Sequence, residues 1–167
     1  MLDIILTRRS IRKYKNTPVS ESDIKKLLEA AMAAPSAGNS QPWEFIIIND
    51  RKILDEIPKF HPYSQMLKEA PLAIVVCGDL KKEKYRDRWP LDCSAAAQNI
   101  LLAAHSLGLG TVWLGIYPEK ERIDNTVNLL RIPQEVIPLC IIAVGYPDEI
   151  KPPSHRYKEE NIHFNKF

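Results

Sequence analysis

Residues 93–107 constrain the fold more than any other stretch of this chain. Ala95, Ala96, Ala97, Ile100, Leu101, Leu102, Ala103, Ala104 and Leu107 cover most of the circumference of a helix. A helix that is apolar all round must be buried all round. One layer of sheet in a chain of 167 residues covers only part of it. A second copy of the chain would cover the rest, and the alanines would let helices approach closely. The reading is a homodimer with this helix at its centre, the alternative being a helix enclosed within one monomer.

The flanking pattern predicts an α+β protein. Residues 2–9 predict a short helix with Leu2, Ile5 and Leu6 on one side. Ser20-Glu21-Ser22-Asp23 reads as a variant capping box, with Asp for the usual Glu, opening a helix that Pro35 stops near Ala34. Phe45–Ile48, Leu72–Cys77, Thr111–Leu114 and Leu139–Val144 are short apolar runs bounded by turn residues, and predict strands. Helices are expected over 51–57, 64–69 and from 118 or 119 to Leu130. Asp92 is the expected N-cap of the long helix, and Gly108 and Gly110 its exit. The tail from Lys151 is polar, with Pro152-Pro153 setting an extended path. No repeat or linker divides the chain, so 1–167 is read as one domain.

Composition excludes more than it selects. A net charge of +2 with 26% charged residues points to neither nucleic acid nor a membrane surface. No run approaches the length of a spanning helix and no leader is visible, so a cytoplasmic protein is expected. Cys77, Cys93 and Cys140 are odd in number and widely spaced, against a disulfide framework or a metal site. His61, His105, His155 and His163 lack metal-ligand spacing. Cys93 follows a candidate cap, where a helix N-terminus lowers a thiol pKa, but no base partners it. Gly108-Leu109-Gly110 is a GxG after a helix, hence a helix stop and not a dinucleotide loop.

Two segments carry chemistry. Thr7-Arg8-Arg9-Ser10-Ile11-Arg12 places three guanidiniums and Ser10 within five residues, and a guanidinium fork suits phosphate oxygens. Pro35-Ser36-Ala37-Gly38-Asn39-Ser40-Gln41-Pro42-Trp43 is a loop of hydrogen-bonding groups suited to a polar ring edge. Together they suggest a phosphorylated cofactor with a heteroaromatic head.

Those segments, in this order, resemble the nitroreductase family of FMN-dependent oxidoreductases. Asp92-Cys-Ser-Ala-Ala-Ala-Gln-Asn-Ile-Leu-Leu-Ala-Ala, Gly108-Leu-Gly-Thr-Val-Trp-Leu-Gly, Val144-Gly-Tyr-Pro and His155-Arg156 extend the likeness over nearly the whole chain. The resemblance implies a three-layer α/β/α fold with a mixed, mainly antiparallel sheet. It also implies an intertwined homodimer, with residues from about 151 to 167 extending over the partner. Two FMN sites would lie at the interface. Arg8 and Arg156 would hold the phosphate, with Arg9 and Ser10 on the phosphate or ribityl chain. Arg12 would approach the N1/C2=O side of the ring and stabilise reduced FMN. Pro35, Ser36 and Asn39 would come from the other subunit. Met66 would pack on the ring, and backbone groups at Leu114 and Gly115 would meet the N5/O4 edge. The implied activity is ping-pong hydride transfer from NADH or NADPH to a nitroaromatic, quinone or other acceptor. A flavin-binding or flavin-consuming protein with little turnover is the alternative. The chain lacks the helical insertion of larger relatives. Only Lys81 to Pro90 is placed to cover a substrate, with Tyr85 and Trp89 as candidate walls.

Overall fold

The computed structural model describes all 167 residues. The elements run α1 (Leu2–Thr7), α2 (Glu21–Met32), β1 (Trp43–Ile48), α3 (Arg51–Phe60), β2 (Leu72–Asp79), α4 (Trp89–Ser106), β3 (Gly110–Gly115), α5 (Lys120–Leu130) and β4 (Val136–Gly145). Single 3-10 turns occupy Ala37–Asn39, Gln65–Lys68 and Glu159–Asn161. The strands lie in the order β1-β2-β4-β3, every neighbouring pair antiparallel. A parallel contribution enters only as an isolated bridge from Ser10 to Thr111.

Successive side chains of a strand point to opposite faces, and here both faces are covered. Leu72, Ile74 and Val76 of β2, with Cys140, Ile142 and Val144 of β4, pack beneath α2 and α4. Ala73, Val75, Cys77, Ile141 and Ala143 pack against α3, α5 and the N-terminal Ile11 and Tyr14. The result is the expected three-layer α/β/α arrangement. No helix is long and apolar enough to cross a membrane.

Local chemistry sets the helix ends. Ser20 Oγ accepts from Asp23 N–H at 3.0 Å, capping α2. The Asp23 carboxylate, one methylene shorter than Glu, accepts the Ser20 hydroxyl and Lys26 Nζ, each at 2.9 Å. The long helix departs from expectation at its start. α4 begins at Trp89, with Pro90 in its first turn where a missing N–H costs nothing. Asp92 is therefore not an N-cap but lies within the helix, its side chain buried.

α4 buries Ala96, Ala97, Ile100, Leu101 and Ala104 against the sheet and α2. A fully buried side chain such as Ile100 contributes about 2 kcal/mol. One stripe, Leu91, Ala95, Gln98 and Leu102, stays partly or fully exposed in the protomer. Leu2, Ile5 and Leu6 of α1 are exposed as well. The tail beyond Lys151 lies open, with Tyr157 and Phe164 unburied.

Candidate active site

Backbone pairing places the arginine segment. Ile11 N–H donates to Thr111 O at 2.9 Å, Lys15 N–H to Tyr146 O at 2.9 Å, and Asp148 N–H to Lys13 O at 2.9 Å. Residues 10–15 are thus laid beside the start of β3 and the end of β4. Ile11 presses on Gly110, where an added Cβ would come within 2.8 Å of the Ile11 side chain, so only glycine fits. Arg8 and Arg9 are carried to a cavity of about 260 Å³ lined also by Thr7, His105, Glu149 and Lys151.

This cavity is short of negative charge. None of Arg8, Arg9, Arg12 and Arg156 is in an ion pair. Arg9 Nε and Nη1 are buried without any hydrogen-bond partner. Burial, then the charges of Arg156 and Arg9, push the Arg8 pKa below its ordinary value. Converging cations with orphaned donors fit an anion of more than one charge. Glu149 does not supply it. Its carboxylate accepts from Arg12 N–H at 2.5 Å and pairs with Lys151 at 3.1 Å. Lys151 Nζ in turn donates to Ser10 O at 2.8 Å. Burial raises the Glu149 pKa, but the Arg12 N–H and Lys151 outweigh it and leave the group below its usual range. Sequence reasoning missed this pair, since neither residue stands in a motif. Thr7 Oγ1 donates its one proton to Asp3 O at 2.6 Å, so it accepts from His105 Nε2–H at 2.9 Å.

A second cavity, about 490 Å³, opens at the other end of β3. Arg12, His61, Tyr63, Met66, Leu114 and Gly115 line it. From Gly110 to Gly115 the strand advances about 16 Å at 3.3 Å per residue. Met66 is buried with Leu114, while nothing lies within 4 Å of the space a Cβ on Gly115 would take. The strand end therefore presents backbone to the cavity.

The 35–43 loop lies elsewhere. Asp92 holds it: Oδ1 accepts from Ala37 N–H at 2.9 Å and Oδ2 from Ser40 Oγ at 3.3 Å. Ser36 Oγ accepts from Gln41 N–H at 3.0 Å, and Asn39 Oδ1 from Gln41 Nε2 at 3.0 Å. Lys84 Nζ reaches Gly38 O at 2.8 Å, and the Tyr85 ring lies against Gly38. The arginine cavity touches His105, at the C-terminal end of α4, and the loop is tied to Asp92 in the first turn. At 1.5 Å per residue these points are about 20 Å apart along the helix. Pro35, Ser36 and Asn39 line neither cavity and make no side-chain hydrogen bond to Arg8, Arg9, Ser10, Arg12 or Arg156.

Comparison with known proteins decides the family. The nitroreductase family model matches residues 5–61 and 57–146. The chain belongs to the nitroreductase family. It is 48% identical over 167 residues to a protein of Methanothermobacter thermautotrophicus provisionally named NADH dehydrogenase/NAD(P)H nitroreductase, covering 100% of this chain and 87% of that one. A crystal structure from Parabacteroides distasonis with the same provisional name superposes with a TM-score of 0.96 at 49% identity, covering 99% and 98% of the two chains. An FMN-dependent nitroreductase from Clostridium difficile matches at a TM-score of 0.93 and 35% identity, over the full length of both.

Cys93 and Trp89 line neither cavity. Cys93 is fully buried, its Sγ–H donating to Cys77 O at 3.4 Å. Burial, then Cys77 and Asp92, push its pKa up to about 12, so it is no nucleophile. Trp89 is no pocket wall: it is buried against Gly78 and meets the Tyr117 ring edge-on at 5.0 Å.

Proposed function

We propose that this nitroreductase-family protein is an FMN-dependent NAD(P)H oxidoreductase acting as a homodimer. The observation that carries the reading is the set of unpaired guanidiniums at one end of β3, with an open cavity at the other. The relative named as FMN-dependent aligns over the whole chain. Bound FMN supplies the redox chemistry, passing a hydride from NADH or NADPH to a nitroaromatic, quinone or other acceptor in alternating half-reactions.

The chain's own groups bind and orient. Arg8, Arg9 and Arg156 take the phosphate, with Ser10 beside the ribityl chain. Arg12 places a cation at the N1/C2=O side, where reduction puts negative charge. Unit charges 4 Å apart at an effective dielectric of 20 interact by about 4 kcal/mol, an upper bound for a charge spread over a ring. Met66 would pack on the ring, and the backbone of Leu114 and Gly115 would hold its N5/O4 edge. Pro35, Ser36 and Asn39 of the partner subunit complete the site, which explains why they stand apart in one protomer. The open stripe of α4, the exposed side of α1 and the unburied aromatic tail supply the apolar surface for that contact, the tail running over the partner. The three thiols are unpaired, in keeping with a reducing cytoplasm.

Purified protein is expected to be yellow and to release FMN on heating, and to oxidise NADH or NADPH with menadione or a nitroaromatic. A colourless protein that refuses added FMN contradicts the reading. Yellow protein with no turnover supports flavin binding alone.

A further inference from the structure

Two donors from different elements converge on one acceptor at the end of β3. His61 Nε2 lies 2.9 Å and Arg122 Nη1 3.1 Å from the carbonyl oxygen of Gly115. His61 is the C-cap of α3, its N–H donating to Ile57 O at 3.0 Å. Its own carbonyl accepts from the N–H and Oγ of buried Ser64 at 3.1 and 2.8 Å. Arg122 stands in the first turn of α5, its guanidinium 5.6 Å from the centre of the Tyr63 ring. That ring meets His61 edge-on at 6.3 Å. α3, α5 and β3 thus close on a single peptide unit.

The acceptor fixes the state of the imidazole. A carbonyl only accepts, so Nε2 carries the hydrogen. Nδ1 is buried without a partner, and a second proton there would meet no acceptor. Burial lowers the His61 pKa against the Gly115 hydrogen bond, and the Arg122 charge lowers it further. The ring is therefore a neutral donor of fixed orientation. A carbonyl has two lone pairs, and here each meets a donor. Gly115 has no side chain, so this clamped backbone is itself the wall of the cavity.

We propose that His61 and Arg122 are positioning residues for the cofactor ring, holding the Leu114–Gly115 backbone still by clamping the Gly115 carbonyl. The inference rests on the FMN reading above. His61 also lines the cavity, but the role assigned is toward the Gly115 backbone, and neither residue belongs to the two motif segments.

The test uses the full-length protein loaded with FMN carrying 15N at N5, in wild type and in His61→Leu, His61→Gln and Arg122→Met. Gln keeps an Nε2 donor and Leu does not. In His61→Leu the N5 resonance is expected to move downfield, as for a flavin losing a hydrogen bond, and the midpoint potential to move with it. FMN affinity falls by about three- to ten-fold, the effect of one neutral hydrogen bond, because the arginines are untouched. His61→Gln restores the wild-type resonance and potential, and Arg122→Met shifts both in the direction of His61→Leu. Unchanged resonance and potential in variants that bind FMN overturn the clamp while leaving the FMN reading intact. A wild-type protein that binds no FMN overturns both. Should His61→Leu fail to fold, His61→Gln and Arg122→Met decide: a normal resonance in Arg122→Met overturns the clamp.

Discussion

Arg9 holds a buried, unpartnered guanidinium, and such a charge is destabilising until something pairs with it. Arg9→Met should leave the FMN-free protein as stable as wild type or more so, while weakening FMN by about ten- to hundred-fold. Thermal unfolding with and without FMN, plus a fluorescence titration, checks both halves. A variant destabilised equally with and without FMN would make Arg9 structural. His61 gives a pH prediction of definite sign. Its pKa is lower in the folded chain than its ordinary 6.5, so the unfolded chain takes up protons first as pH falls. Stability from this group is therefore lost below about pH 6.5, and the loss is complete once pH is below the folded pKa. Urea unfolding at pH 7, 6 and 5 should show a flatter profile for His61→Gln than for wild type.

At the scale of elements, α4 borders both the arginine cavity and the 35–43 loop. Its first turn holds the 35–43 loop through Asp92, and its last turn borders the arginine cavity through His105. Asp92→Ala should cost about 2–3 kcal/mol, because two donors lose a charged acceptor. It should also weaken FMN, although Asp92 lines neither cavity of its own protomer. Equilibrium unfolding and FMN titration of the variant measure the two effects. Apolar runs between turn residues placed all four strands, and the expected helices appear except that 64–69 folds only as a 3-10 turn over Gln65–Lys68. Periodicity misplaced the start of α4, since Trp89-Pro90 gives no cap signal and Asp92 mimics one. It could not see His61, Arg122, Glu149 or Lys151 at work. Their partners are backbone atoms up to 141 residues away in sequence, and such contacts leave no spacing to read.

For the whole molecule, the chain is a three-layer fold in which the arginine cavity and the 35–43 loop are separate features. The Arg8/Arg9 cavity and the 35–43 loop border opposite ends of α4, about 20 Å apart along it. Of the apolar helix that pointed to a dimer in the sequence, Ala95 and Leu102 stay partly exposed, beside exposed Leu91. On the proposed function, each FMN site takes its arginines from one subunit and its loop from the other. The most direct test of that division is complementation. Arg9→Glu and Ser36→Glu chains are prepared separately and then co-expressed with different affinity tags, and FMN is counted per purified dimer. Each parent homodimer should hold almost none. The mixed dimer should hold one, because one of its two sites draws intact arginines and an intact loop from different chains. A mixed dimer as empty as its parents would show that both segments serve a site within one subunit, contradicting the account.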